Sequence, residues 1–362
     1  MPQESFSILT IDPTFNLGDF DVTPTTYRHC LLESTRSGNS PVLIGPTMIH
    51  YRKTFHTYLF FASTLIGLRP ELQGLRAFGT DGEKALVDAF SHEFRYAIHL
   101  TCFIHFRQNI KRKLQELQYP DSAIKEVLGD IFGCTQGDTF SEGLVDSNSD
   151  EEFDKKLCLL KQRWQQLEAA HSIESSVYDW FLQYKALIMK TTMIKSIREE
   201  AGLGLPPEPF TTNASETINS VIKAHVNYKP SQLMEFVGKL KELIDEQERE
   251  IERAVIKRGK YRLKEAYSYL EINESDWFKM TKEQRQTHLK KTSQAAIKSV
   301  TAANTPSSSP ATTDLALVVD VETVSSSVGI PVSVLKSVWQ RSYYKRLIAY
   351  LLLLDTQLML RW

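Results

Sequence analysis

Short apolar runs ending in turn signals alternate with longer stretches of helical spacing over the first hundred residues. Residues 6–12, Phe6-Ser-Ile-Leu-Thr-Ile-Asp12, have the length and bounds of a buried strand. Asn16-Leu-Gly-Asp19 supplies turn chemistry, and a second strand begins at Phe20 and runs toward Arg28. Residues 41–49 predict a third strand, whose Gly45-Pro46 step argues for an edge position or a bulge. Three such neighbours suggest an antiparallel meander. Residues 54–68 carry Phe55, Leu59, Phe60, Leu65 and Leu68 at helical spacing, which predicts a helix with one face on the sheet. A fourth strand follows at 75–81, a helix at 83–94 and a fifth strand at 97–102. That order implies right-handed parallel crossovers.

From about 106 to 202 the pattern changes to helices with polar connectors. Residues 141–154 read as an acidic, serine-containing loop, while 153–170 and 178–200 have apolar helical spacing and include Trp164 and Trp180. The Gly- and Pro-rich stretch 202–209 breaks the helix, and Thr211 or Asn213 can cap the next one. Residues 229–266 predict a long charged helix or helical pair. Residues 292–328, rich in Ser, Thr and Ala with Pro306 and Pro310, read as a linker in which 317–324 forms a brief strand. The tail 331–362 is apolar enough to pack but too short to fold alone.

Composition narrows the class without choosing a function. The chain of 362 residues has 42% hydrophobic and 24% charged positions, ordinary for a protein with a real core. Its formal net charge of −1 means that any nucleic-acid contact must come from local patches. The four cysteines, Cys30, Cys102, Cys134 and Cys158, form no CxxC pair, which fits a reducing cytosolic or nuclear setting. The start Met-Pro-Gln-Glu-Ser has no signal-peptide character. The late apolar stretch 348–360 covers 13 positions and contains Asp355. A membrane span needs about 20 apolar residues, so no membrane partner is expected.

Three acidic residues carry the candidate chemistry. Asp12 ends the first strand, Asp81 ends the fourth, and Glu216 lies where a helix opens. Singly, each has an ordinary explanation as a turn, cap or solvated residue. Together they resemble the carboxylates of a polynucleotide-cutting site. Two Mg2+ (or Mn2+) ions about 3.5–4 Å apart can activate an attacking oxygen and stabilise a leaving one. Magnesium takes hard carboxylate oxygens and keeps several waters. In that arrangement Asp12 bridges the ions, Asp81 is the second ligand of one, and Glu216 holds and orients the other. Arg107, Lys111, Arg112 and Lys113 form a basic cluster positioned to hold phosphates, or simply a solvated helix face. Lys257, Arg258, Lys260, Arg262 and Lys264 form a second cluster.

The blocks Asp12-Pro-Thr-Phe-Asn, Thr80-Asp81-Gly-Glu-Lys-Ala-Leu, Cys102-Phe-Ile-His105-Phe-Arg-Gln-Asn and Thr212-Asn213-Ala-Ser-Glu216-Thr-Ile-Asn219 resemble the Mutator-like element (MULE) transposase domain. The resemblance spans roughly 6–225, and the blocks occur in the family's order. It implies an α/β, RNase H-like fold: a five-stranded mixed sheet with flanking helices, an all-helical insertion between the second Asp and the Glu, and a helical C-terminal region. It also implies a DDE triad at Asp12, Asp81 and Glu216 that holds two Mg2+ or Mn2+ ions, DNA as the partner, a homo-oligomer on DNA ends, and a nuclear location. The corresponding domains are a core at 1–106 and 207–228, an insertion at 107–206, a charged helical region at 229–291, a linker at 292–330 and a tail at 331–362. The Cys102/His105 pair is likewise a family feature. It either contacts DNA or orients a carboxylate, or else is a buried Cys with a hydrogen-bonded His at a strand–helix junction. Asn213 and Asn219 join these as DNA-binding or site-shaping residues.

Pro13 departs from the small or hydroxylic residue usual after the first Asp. The zinc modules that usually flank such a domain have no counterpart, so the chain is expected to be truncated. The leading expectation is metal-dependent DNA cleavage and strand transfer by a transposase-derived domain, in a domesticated or truncated copy. A catalytically silent DNA- or protein-binding relic is the alternative, and a nuclease acting on RNA–DNA hybrids is a third.

Overall fold

A computed structural model of the chain describes residues 8–301, apart from 137, 138 and 175. The linker from 302 on, the brief strand expected at 317–324 and the tail 331–362 lie outside the described residues.

In chain order the elements begin with β1 (Leu9–Ile11), β2 (Asp21–Arg28), β3 (Leu32–Ser34), β4 (Val42–His50) and α1 (Phe55–Leu68). β5 (Ala77–Thr80), α2 (Lys84–Glu93) and β6 (Ile98–Thr101) follow. Next come α3 (Phe103–Glu116), α4 (Asp121–Phe132), β7 (Cys134–Gln136), β8 (Thr139–Ser141) and α5 (Asp150–Ala170). α6 (Val177–Tyr184), α7 (Ala186–Thr192) and α8 (Lys195–Glu200) complete the middle of the chain. The rest holds α9 (Asn213–His225), α10 (Leu233–Val255), β9 (Tyr261–Leu263), α11 (Glu274–Lys279) and α12 (Lys282–Thr301). The fold is α/β, with β1, β2, β4, β5 and β6 in a five-stranded mixed sheet. Among the described residues no helix is long and apolar enough to cross a membrane.

The chain divides into two compact units. One comprises residues up to Arg76, Lys84–Ala97 and the described residues from Asn213 on; the other comprises Ala77–Glu83 and Ile98–Thr212.

In the first unit β2 pairs antiparallel with both β1 and β4, which is the meander read from the sequence. The register of β2 on β4 shifts between Pro24 and Thr26. A proline there cannot donate to a ladder, so a bulge accommodates it. On β4 the Gly45-Pro46 step lies opposite this bulge, and the Thr25 hydroxyl donates to the Pro46 carbonyl at 2.9 Å. The amide of Gln247 accepts from the Ile44 N–H at 2.8 Å and donates to the Ile44 carbonyl at 3.0 Å. A side chain from α10 thereby satisfies strand backbone that would otherwise need another strand.

β2 is buried along nearly its whole length, so it shows no apolar–polar alternation. Threonine suits such a strand because its branched carbon packs while its hydroxyl finds a partner. Thr23 bonds His50 at 2.8 Å and Thr26 bonds Ser215 at 2.6 Å. One face of α10, through Phe236, Leu240, Ile244 and Ile251, joins Phe20, Val22, Tyr27 and Leu43 in the core. Its other face carries one-turn pairs such as Glu235–Lys239. The β3–β9 ladder joins segments over two hundred residues apart, with Glu33 paired to Arg262 at 2.6 Å. α12 runs ten residues into the stretch read as linker. Its Leu289 is packed with Val255 and Trp277, and Ala295 and the lysines favour continuing the helix.

In the second unit β5 and β6 run parallel, Ala77 opposite Ile98 through Thr80 opposite Thr101. A Cβ at Gly79 would strike the ring of Phe210, so glycine is what lets that ring lie on the strand. Apolar faces of α3, α4, α5, α6 and α7 close a helical core around Trp164, whose ring meets Phe181 edge-on at 5.8 Å. The Ser149 side chain caps α5, and Asp150, Glu151 and Glu152 fill its first turn, where the helix dipole favours negative charge. The stretch 178–200 is three short helices rather than one. Lys185 leaves helical geometry at one break and lies over the rings of Phe106 and Trp180. At the other, Thr191 and Thr192 bond back to carbonyls of the preceding turn, which loosens a helix.

Candidate functional site

Asp12 directly follows β1 and is 7% exposed. Its surroundings come from α9, whose buried side is Ser215, Asn219 and Ile222, at one-turn spacing. Ser215 bonds Thr26 on β2, and Ile222 enters the core beside β2 and β4, which sets the rotation of the helix. That rotation carries Asn219 to the first acid. Its Nδ2 donates to Asp12 Oδ2 at 2.8 Å and to the Asp12 carbonyl at 3.2 Å. Glu216 stands one turn earlier on α9 and is exposed, as is Asn213 at the start of the helix. The structure thus joins Asp12 to Asn219 within one unit and puts Glu216 on the same helix.

Asn219 has one further feature. Its Oδ1 is buried and has no hydrogen-bond partner. An orphaned acceptor beside a carboxylate is costly unless a donor arrives. Asn219→Ala is expected to lower stability by about 1–3 kcal/mol, because the Asp12 carboxylate keeps its burial and loses a donor. Urea unfolding reads this; an unchanged midpoint would mean that the bond contributes nothing.

Asp81, Cys102, His105 and the basic cluster belong to the second unit. Asp81, half-buried, follows β5, and its Oδ1 accepts from the Glu83 N–H at 3.1 Å. Gly82 has φ +100, so the turn after the acid uses backbone that glycine adopts freely. The Thr80 hydroxyl accepts from the Gly82 N–H at 3.1 Å and meets His99 Nε2 at 2.9 Å, tying the strand end to β6.

Burial lowers the His99 pKa to about 4 from 6.5, so the ring is neutral in the folded chain at neutral pH. The unfolded chain binds the proton first, so the contribution is complete above about pH 6.5 and fades as pH falls toward 4. That is on the order of 3 kcal/mol over the window. His99→Gln is expected to flatten this part of the stability–pH curve relative to the parent; parallel curves would remove His99 as the cause.

Cys102 is fully buried ahead of α3, and its sulfur accepts from the Thr212 N–H at 3.4 Å and the Thr212 hydroxyl at 3.3 Å. The same hydroxyl lies 3.3 Å from His105 Nδ1. The Cys102 sulfur has no exposure, and its bonds from Thr212 hold it within the β6–α3 junction. Thr212 is the partner that sequence reading missed. On α3, Arg107, Lys111 and Arg112 are exposed, while Lys113 is half-buried and pairs with Glu116 at 3.3 Å.

No protein-family model and no curated protein matches the chain.

Among the described residues no group of three or more His, Cys, Asp or Glu is spaced to hold a metal ion. Magnesium does not require one, since it is commonly held by one or two carboxylates plus waters and substrate phosphates. Were such an ion bound, Asp12 would hold it and Asn219 would orient the carboxylate through its Nδ2.

Proposed function

We propose that the chain is a transposase-derived domain with an RNase H-like fold that cuts DNA and joins strands, resembling the MULE transposases. The observation that carries the reading is the double hydrogen bond from Asn219 to Asp12. It ties a strand-end acid to the helix bearing Glu216, two sequence blocks over two hundred residues apart. The antiparallel meander followed by a parallel strand pair also supports it.

In this reading Asp12, Asp81 and Glu216 hold two Mg2+ or Mn2+ ions, which supply Lewis acidity to the scissile phosphodiester. Asn219 would position the Asp12 carboxylate through the bond from its Nδ2. Arg107, Lys111 and Arg112 hold backbone phosphates. In cleavage a water oxygen bonds to phosphorus and loses a proton, while the P–O3′ bond breaks and the departing oxygen takes one up. In joining, a 3′-hydroxyl replaces the water. DNA is the partner, two copies would assemble on paired DNA ends, and the site of action is the nucleus.

The second reading, a silent DNA- or protein-binding relic, is favoured by the lack of an assembled group of metal-ligating side chains among the described residues. A joining assay separates the two. A labelled duplex with a free 3′-hydroxyl, incubated with supercoiled plasmid and Mn2+, should become covalently attached to the plasmid. Folded protein that binds the plasmid yet joins nothing would hand the case to the silent relic.

A further inference from the structure

Helices α3 and α4 flank a cavity of about 580 Å3 that lies wholly within the second unit. Ile104, Ile124 and Leu128 give it an apolar lining, and Arg107 and Lys111 from α3 face Lys125 from α4. Among the described residues none of these three cations has an acidic partner, in contrast to Lys113, which pairs with Glu116. A single acid, Asp121, also lines the groove. Three unpaired cations around an apolar floor are not an ordinary solvated helix face, where charges of both signs intersperse.

Two features bear on what the groove would take. Arg107 and Lys111 are one turn apart, a rise of about 6 Å, comparable with the step between successive phosphates of an extended strand. The Arg107 guanidinium also lies over the Phe132 ring at 5.8 Å, and Phe103, which lines the groove, meets the same ring edge-on at 4.9 Å. Guanidinium planes and aromatic rings are the surfaces on which unpaired bases stack. An acidic amphipathic helix would use the charges and the aliphatic floor but would gain nothing from these flat surfaces.

We infer that the α3–α4 groove is a binding site for single-stranded nucleic acid, with phosphates on Arg107, Lys111 and Lys125 and a base against Arg107 and Phe103. The inference rests on the proposed function only for the class of ligand; it adds Lys125, the apolar floor and the preference for a single strand. Such a site would hold the strand that is displaced or left over when a duplex is opened for cutting.

The test is fluorescence anisotropy of a labelled twelve-residue oligo-dT on the full chain in EDTA, with the same-length duplex and an acidic amphipathic peptide of equal charge as competitors. The parent should bind the single strand more tightly than either competitor. Lys125→Glu, an exposed change on α4, should weaken binding by about 10-fold or more with unchanged thermal melting. The double variant Arg107→Ala with Lys111→Ala should reduce the slope of log K against log salt by roughly 1.4, the release expected for two single-strand phosphates. Equal binding by Lys125→Glu and parent would overturn the inference, as would a peptide that competes as well as oligo-dT. Metal is excluded, so the two ideas fail separately. A chain that binds oligo-dT through Lys125 but never cuts DNA loses the proposed function and keeps this site; one that cuts but binds independently of Lys125 does the reverse.

Discussion

Asp12→Asn and Asp81→Asn are each expected to abolish plasmid nicking while leaving the fold nearly intact. At both positions the observed hydrogen bond is accepted by a carboxylate oxygen, and an Asn side-chain oxygen can accept it too. Asp12 Oδ2 accepts from Asn219, and Asp81 Oδ1 accepts from the Glu83 N–H. What an amide cannot supply is the negative charge that a divalent ion requires. Removing a group that merely hydrogen-bonds to a metal ligand typically costs about 10–100-fold in affinity or activity, so removing the ligand's charge should cost more than ~100-fold. Glu216→Gln should behave alike with less effect on folding, because Glu216 is exposed. The measurement is the rate of open-circle formation beside a thermal melt of each variant. Nicking at the parental rate by Asp81→Asn would show that the activity comes from elsewhere.

Trp164→Ala should produce the largest loss of stability, about 3–5 kcal/mol, the range for truncating a fully buried large aromatic. Trp164 has no exposure, meets Tyr178 and Phe181 edge-on, and its indole N–H donates to Asp130 Oδ2 at 2.9 Å. Burial already pushes the Asp130 pKa up, and the indole and Arg163 counter that push. Losing the indole therefore leaves both a cavity and a poorly solvated carboxylate. A domain's whole stability is about 5–15 kcal/mol, so the helical core of the second unit would be near its unfolding threshold. Denaturant unfolding, with hydrogen exchange confining the loss to the second unit, would bear this out; a shift below about 1 kcal/mol would contradict the packing described.

Local pattern carried many of the regular elements, but the insertion read as all-helical holds the antiparallel β7–β8 pair. The helical reading of 229–266 stops at Val255 with β9 beyond it, and α5 already starts at Asp150 within the stretch read as a loop. The run ending at Asp12, the Gly-Pro step of β4 and the helical spacing around Trp164 each declare their element through nearest neighbours in sequence. Long-range pairing is where that legibility stops. β3 and β9 are three residues each, and neither contains a pattern that predicts a partner across more than two hundred residues. The breaks at Lys185 and after Thr192 depend on what those side chains touch, which apolar spacing does not encode.

The candidate site divides along the same line. Asp12, Glu216 and Asn219 could be named from their blocks, but the bond from Asn219 to Asp12 follows from how Ser215 and Ile222 seat the helix. Thr212 as the partner of Cys102 and Lys125 opposite Arg107 became visible only when separate segments were brought together. Single residues can be read from sequence for their chemistry; what orients them comes from packing.

The central claim is that the carboxylate of Asp12 serves metal-dependent DNA cleavage. Its most direct measurement is nicking of supercoiled plasmid by the purified full chain in Mg2+ or Mn2+, with Asp12→Asn run in parallel and EDTA as the blank. The account predicts open-circular product with the parent in metal, and none with the variant or in EDTA. Equal nicking by parent and Asp12→Asn, or no nicking by folded, plasmid-bound parent in either metal, would contradict it.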